Sequence, residues 1–371
     1  AKARAGIHEA EAEKLYAEAA ELFKKEQLFD VKPLVEKLKS DYAQSRPVTD
    51  AARNPTFADL EQSTANLGRF ITVRQDGKGD FTTIQAAIAA APPNSLIEIQ
   101  DNGPYNEKIG IQQAGLTIRG KAGCWPIITS VGPVTSFAVL VSVAAPRVSM
   151  ERVVLSHGGA AGSEPYCVVG SLTIRSSVLD RGSASYTLWE GSWEIDECVI
   201  IGPSGAGGRD LSVRNSVWLG DASRGGVTVA GSAAKLENLL VTWGCRTPGV
   251  RSTMRYCTIG GLLDLGAPSQ VSQVTDSIVQ SVQSVNANTV VEHCNVYGNP
   301  PFIDAAKPGK GCFSADPQFR DPANLDYRLL PTSPCLGKAS DGGDIGCRFT
   351  PEMIQMLNLA LELRAKGIIK F

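Results

Sequence analysis

No run of 18 apolar residues occurs in the 371-residue chain, so nothing in it has the length and hydropathy of a membrane-spanning helix. Excess charge of one sign is missing too. With 36 Lys+Arg against 38 Asp+Glu the net charge is −2, which excludes a polybasic footprint for nucleic acid or an anionic membrane. Histidine is scarce, at positions 8, 157 and 293, which argues against a histidine-built metal site. Aromatics are only 6% of the chain while glycine reaches 37 residues, a balance suited to a turn-rich β protein with a small-residue interior. The nine cysteines are odd in number and sparse, and none forms a C-x-x-C pair, so neither a disulfide scaffold nor a thiolate metal site is expected. Buried thiols acting as small hydrophobes fit better, with Cys335 and Cys347 the expected pair if any bridge forms. No signal-peptide pattern follows Ala1, as expected of a processed or excised polypeptide.

What is present is globular: 43% hydrophobic and 20% charged residues. Residues 1–46 read as an amphipathic helical arm, with Leu15, Ala19, Leu22 and Phe23 at helical spacing. Asp30 is the expected cap of a second helix bearing Leu34, Val35 and Leu38. The balanced charge and single apolar stripe suit a hairpin or coiled association, with self-association or a partner chain as its expected use. Residues 47–69, with Pro47 and Pro55, read as a linker. From residue 70 the period shortens to that of strands, with one short helix in FTTIQAAIAAA stopped by Pro92-Pro93.

An internal repeat then dominates. The octets VSMERVVL (148–155), LTIRSSVL (172–179), WEIDECVI (193–200), LSVRNSVW (211–218), AKLENLLV (234–241), STMRYCTI (252–259), SQVTDSIV (272–279) and TVVEHCNV (289–296) recur at intervals of 17 to 24 residues. Units so short leave no room for a helix. They predict an all-β, single-stranded right-handed parallel β-helix over residues 70–347, followed by a C-terminal helix within 348–371.

Each octet position becomes a ladder along the axis. The third (Met150, Ile174, Ile195, Val213, Leu236, Met254, Val274, Val291) and the eighth (Leu155, Leu179, Ile200, Trp218, Val241, Ile259, Val279, Val296) should point inward. The sixth is small or thiol. The fourth should point outward, and from Glu151 through Arg175, Asp196, Arg214 and Glu237 to Arg255 its charge alternates, as needed to set register between coils. The seventh (Val154, Val178, Val199, Val217, Leu240, Thr258, Ile278, Asn295) should also point outward, giving an aliphatic stripe too large to face water. The arm, a neighbouring subunit, or the helix starting at Thr350-Pro351 with Met353, Met356, Leu357, Ala360 and Leu361 is expected to cover it.

The segments Gly79-Asp80-Phe81-Thr82-Thr83-Ile84-Gln85-Ala86-Ala87-Ile88 and Gly103-Pro104-Tyr105-Asn106-Glu107 resemble the opening of pectinesterases and of pectin-lyase-like β-helix proteins. Asp316-Pro317-Gln318-Phe319, Asp326-Tyr327-Arg328-Leu329 and Ser333-Pro334 resemble the closing segment of bacterial parallel β-helices. The resemblance implies a capping helix and the β-helix fold. It does not extend to catalysis, because the D-F-I-F-G and G-R-P-W segments that carry the esterase's aspartate and arginine are missing. Residues 69–81 and 92–99 bear a weaker resemblance to β-helix regions attached to planctomycete-type bacterial serine/threonine kinases, which implies a sensor region carried outside the kinase domain. No kinase motif accompanies it.

Other motifs yield to ordinary explanations. Gly115–Lys121 approaches phosphate-loop spacing, but Ala122 stands where the Mg²⁺-holding hydroxyl is required. Asp76, Asp80, Asp341 and Asp344 lie in Gly-rich turns without the acid density of a calcium loop. No catalytic set, metal site or cofactor is therefore expected. The longer insertions all follow the eighth octet position and should form one irregular wall. Its Trp189, Glu190, Asp221, Arg224, Trp243 and Arg246 are the candidate ligand-binding residues, since aromatic faces beside charged groups suit sugar rings. The chain thus reads as a non-enzymatic, extracytoplasmic (periplasmic or cell-surface) binding, sensor or assembly module with polysaccharide as a possible ligand. The alternative is a lyase, hydrolase or esterase acting on acidic polysaccharide.

Overall fold

The computed structural model describes residues 2–129, 140–157, 166–180, 191–202, 209–220, 226–229, 231–248, 250–266 and 271–371. These form two compact units, Ala1–Ile71 with Ala91–Leu96, and Thr72–Ala90 with Ile97–Phe371.

The first unit is helical, with α1 Lys2–Lys24, α2 Leu28–Asp41, α3 Arg46–Thr49 and α4 Phe57–Ala65. Ala12, Tyr16 and Ala19 on α1 meet Val31, Val35 and Leu38 on α2 and Leu60 on α4, all buried in one apolar cluster. The arm does pack α1 on α2 as a hairpin, but the core is closed by Phe57 and Leu60 of α4, so it does not depend on another surface for burial. The stretch 47–69 supplies the missing wall, because proline at a helix start costs no hydrogen bond: Pro47 sits in the first turn of α3. Thr56 caps α4 in a reciprocal box with Asp59. Asp30 is not the cap of α2. Glu26 adopts φ 58 directly after α1, the helix restarts at Leu28, and Asp30 falls in its first turn. Arg53 grips both carboxylate oxygens of Glu13 at 3.0 and 2.6 Å.

The second unit is a parallel β-solenoid preceded by α5, Ile84–Ala90. The two free N–H groups that open α5 donate to the Glu107 carboxylate at 3.0 and 2.9 Å, which fastens the cap to the first coils. In the coils the octets stand in parallel register, third position on third and eighth on eighth. Both ladders are fully buried, as their apolar content requires.

The fifth position is where each coil bends. Arg152, Ser176, Glu197, Asn215, Asn238, Tyr256, Asp276 and His293 all have positive φ, from 44 to 54°. That turn leaves the next N–H without a strand partner. Serine at the sixth position provides the acceptor: Ser177, Ser216 and Ser277 accept from Val153 N, Cys198 N and Cys257 N at 3.2, 3.0 and 3.0 Å. Each hydroxyl donates in turn to the carbonyl two residues back, at 2.7, 2.6 and 2.7 Å. Cysteine mimics this donation, Cys198 Sγ to Asp196 O at 3.1 Å and Cys294 Sγ to Glu292 O at 3.1 Å. The small sixth residue is thus a stitch between coils as well as a filler.

Left-handed backbone costs an ordinary L-residue about 1–2 kcal/mol, and Asn tolerates it best. Glu197→Asn is therefore expected to stabilise the chain by about 0.5–1 kcal/mol, net of its bond from the Ser176 hydroxyl at 2.8 Å. A rise in the urea midpoint at constant slope checks this; a fall contradicts it.

The alternating fourth position is in register throughout, Glu151 beside Arg175, then Asp196, Arg214, Glu237 and Arg255. Arg214 reaches Asp196 at 3.0 Å and Glu194 at 2.7 Å. The pattern extends two coils further than the octets show, through Arg119 beside Glu151 and Glu98 at 3.2 Å from Arg119. Glu98, Arg119 and Glu151 are buried, so at the cap end the ladder is not the solvent-facing strip expected.

The seventh position is covered from within the unit. Val154, Val178, Val199, Val217 and Leu240 pack against Met353, Met356, Leu357, Ala360 and Leu363 of α6, Pro351–Ala365. Thr350 caps α6 by accepting from Met353 N at 3.2 Å. Beyond Leu240 the segment before α6 takes over. Thr258 accepts from Cys347 N at 2.9 Å, Ile278 packs with Cys335, Ala339 and Ile345, and Asn295 pairs with Ala315 through both its N–H and its C=O. The chain thus returns along its own coils, and a polar seventh residue marks each place where backbone needs a partner.

Cys335 and Cys347 do not meet. Cys335 Sγ accepts from Asn295 Nδ2 at 3.2 Å and Cys347 N donates to Thr258, two rungs away on the seventh-position ladder. All nine cysteines are free thiols. Among the described residues no helix is long and apolar enough to cross a membrane.

Candidate functional site

Four of the six candidate wall residues, Trp189, Glu190, Asp221 and Arg224, lie outside the described residues. Trp243 and Arg246 are described, and both face solvent: Trp243 is 42% exposed and the Arg246 side chain 63%. Their position follows from a third run of each coil, which begins after the corner that ends the octet. There Val227–Thr228, Cys245–Arg246 and Leu263–Asp264 align in parallel, with Asp264 beside Gln283 on the following coil. Cys245, Leu263 and Val282 point into the core, so Thr228, Arg246, Asp264 and Gln283 form the outward ladder.

The ladder is a chain of paired polar groups. Arg246 Nε donates to Asp264 Oδ2 at 3.0 Å, and Gln283 Nε2 to Asp304 Oδ2 at 2.7 Å. An exposed pair of this kind adds little stability, but it holds both partners in one orientation. Trp243 stands at the corner two residues before Cys245, next to Gly244. Gly226 and Gly244 are glycines because a Cβ there would stand 2.6 and 2.9 Å from a carbonyl of the next coil. As a consequence the floor beside Trp243 is bare backbone, edged by Leu262, itself 38% exposed. A flat apolar corner therefore adjoins a row of fixed donors and acceptors.

Asp264, Gln283, Asp304 and Leu262 were not among the residues singled out from sequence. They lie outside the octets, and only the spacing Arg246–Asp264 of one repeat pointed to them. The acid-bearing turns are otherwise occupied. Asp80 accepts from Thr72 N and Oγ1 at 2.8 Å each, and Asp341 takes both guanidinium nitrogens of Arg348 at 2.9 and 2.8 Å. The Gly115–Lys121 motif lies partly in the strand Thr117–Gly120, with no helix after it.

No protein-family model matches the chain, and no curated protein does. Among the solved structures that are similar in part are two pectin methylesterases. The pectin methylesterase from carrot superposes over 50% of this chain and 81% of its own, with 12% identity and a TM-score of 0.34. The pectin methylesterase from Aspergillus niger superposes over 66% and 86%, with 14% identity and a TM-score of 0.32. The solenoid itself is established by its ladders, independently of either likeness.

Proposed function

We propose that this chain is a non-catalytic, extracytoplasmic binding module that holds a polysaccharide along the strip of Trp243, Arg246, Leu262, Asp264 and Gln283. The observation that carries the reading is the placement of tryptophan. Trp193 and Trp218 are buried, and Trp125 packs on the α6 cluster. Trp243 alone among the described tryptophans is left open to solvent, and it borders a row where paired polar side chains continue over successive coils. Sugar rings present CH faces to an aromatic plane and hydroxyls to such pairs, and a solenoid repeats the contact along a chain ligand. The row carries Arg246 against Asp264 and Asp304, one more acid than base, so it favours an uncharged glycan over a polyuronate. The assembly reading has lost its motive, because the aliphatic stripe that prompted it is covered by α6 and the apolar face of the arm is buried in the helical unit.

Titration calorimetry with a panel of neutral and acidic polysaccharides tests this. Binding to a neutral chain is expected, weakened about tenfold in Trp243→Ala, a loss of about 1.4 kcal/mol, with the melting temperature unchanged. Tighter binding to polyuronates, or equal affinity of the variant, removes the strip from the account. Release of unsaturated products or reducing ends during incubation would favour the enzyme instead.

A further inference from the structure

Two successive rungs of the sixth-position ladder are thiols. Cys294 ends the eighth octet's bend, and Cys312 occupies the equivalent place on the short coil that follows. The register is fixed by the parallel bridge between Asn295 and Phe313, each the next residue in its chain. Phe313 N donates to Cys294 O at 3.0 Å and His293 N to Lys310 O at 2.8 Å, so the two strands are held on either side of the thiols. Neighbouring parallel strands lie about 4.8 Å apart, inside the Cα separations of about 4.4–6.8 Å that a disulfide spans. The sulfurs aim at adjacent carbonyls of one strand, Cys294 at Glu292 O (3.1 Å) and Cys312 at Val291 O (3.3 Å).

No other pair of the ladder has this arrangement, since Ser216 follows Cys198 and Ser277 follows Cys257. The two thiols also differ in kind. Cys294 is buried, whereas Cys312 is half-buried. Gly311 permits the approach: a Cβ there would stand 2.6 Å from His293 Nδ1, so only glycine lets this turn lie against the ring. The neighbouring Cys294 thiol holds the Cys312 thiol below the ordinary thiol range despite its partial burial, while burial pushes Cys294 up.

We infer that Cys312 and Cys294 form a thiol–disulfide exchange site for small disulfides, with Cys312 the attacking sulfur and Cys294 the resolving one. The Cys312 thiolate attacks one sulfur of R–S–S–R, forming a mixed disulfide and releasing RS⁻. Cys294, losing its proton, then attacks Cys312 Sγ and expels the second RS⁻. The protein gives up two electrons and two protons, the small disulfide becomes two thiols, and the last coil is stapled to the eighth. This site is independent of the glycan strip and stands or falls without it.

The full chain, incubated with glutathione disulfide and digested without reduction, tests the assignment by peptide mass mapping. The expected product is one crosslink, Cys294 to Cys312, with the other seven thiols still alkylated by iodoacetamide. In Cys294→Ser, a residue the ladder already uses at 177, 216 and 277, glutathione should remain attached to Cys312. Cys312→Ser should leave Cys294 unmodified. A crosslink between any other pair, a stable glutathione adduct on the unsubstituted chain, or nine free thiols after incubation overturns the inference. The unsubstituted chain alone decides if a variant does not fold.

Discussion

Ending the chain at Phe349 is expected to make it aggregate and to lower its melting temperature steeply. The truncation removes α6 and uncovers Val154, Val178, Val199, Val217 and Leu240, each now essentially inaccessible to water. At about 1.5–3 kcal/mol per buried aliphatic side chain, the five together are worth on the order of 10 kcal/mol. That is comparable to the whole stability of an ordinary domain. A milder form is Met356→Ala, which opens a gap at the centre of the contact and should cost about 2–5 kcal/mol. Size-exclusion chromatography and a thermal melt read both. An unchanged elution volume and melt for the truncated chain would mean that α6 is an ornament on a self-sufficient solenoid.

Asp276→Ala is expected to have the largest effect of any single polar substitution, a loss of about 3–5 kcal/mol. Its side chain is fully buried at the seventh coil's bend, where it accepts from Ser340 N at 2.6 Å, Ser340 Oγ at 2.8 Å and Arg255 Nε at 2.9 Å. Gly346 N donates to its backbone carbonyl at 2.9 Å. One residue thus clamps the returning segment that leads to α6. Burial raises the Asp276 pKa, but these donors outweigh it and hold the carboxyl below the ordinary aspartate value. Arg348, with Gly343 N and the Tyr256 hydroxyl, lowers Asp341 on the same segment. A carboxylate depressed in the fold contributes its full stabilisation above the unfolded value, near 3.9, and loses it as pH falls through the folded value. The melting temperature should therefore drop below about pH 4. Asp276→Asn should flatten that drop while lowering the plateau. An acid limb of the same depth in this variant would assign acid sensitivity to other groups.

Much of the solenoid can be read from the octets, because burial acts on each rung alike. The third and eighth positions must be apolar in every coil, and a period of about 20 residues with no room for a helix leaves few alternatives. The seventh position shows how far such reading extends. Its aliphatic content requires a cover, but the arm and α6 are both amphipathic, and nothing local distinguishes them. What separates them is a match along the whole ladder: five aliphatics opposite α6, then Thr258 and Asn295 where the returning backbone needs partners. Residues 47–69 misled for a different reason. Pro47 and Pro55 are breakers inside an element but starters at its edge: Pro47 lies in the first turn of α3, and Pro55 stands just before the Thr56 cap of α4.

The candidate site was legible only in part. Trp243 and Arg246 stood out by residue type, since exposed aromatic and guanidinium groups are the chemistry of sugar contact. Asp264, Gln283 and Asp304 did not, because their polar character is ordinary until the third run of each coil is placed in register. The small sixth position implies packing thiols, and Cys198 and Cys257 are buried and free. Cys312 has no such signature, since its coil carries no recognisable octet and only the Asn295–Phe313 bridge makes it a rung.

The most direct test of the account is a crystal structure of the full chain with a neutral oligosaccharide long enough to span several coils. The account predicts a ring stacked on Trp243, with hydroxyls on the Arg246–Asp264 pair and the next sugar over Gln283. Density for the sugar along the fourth-position charge ladder instead, with Trp243 untouched, would contradict it.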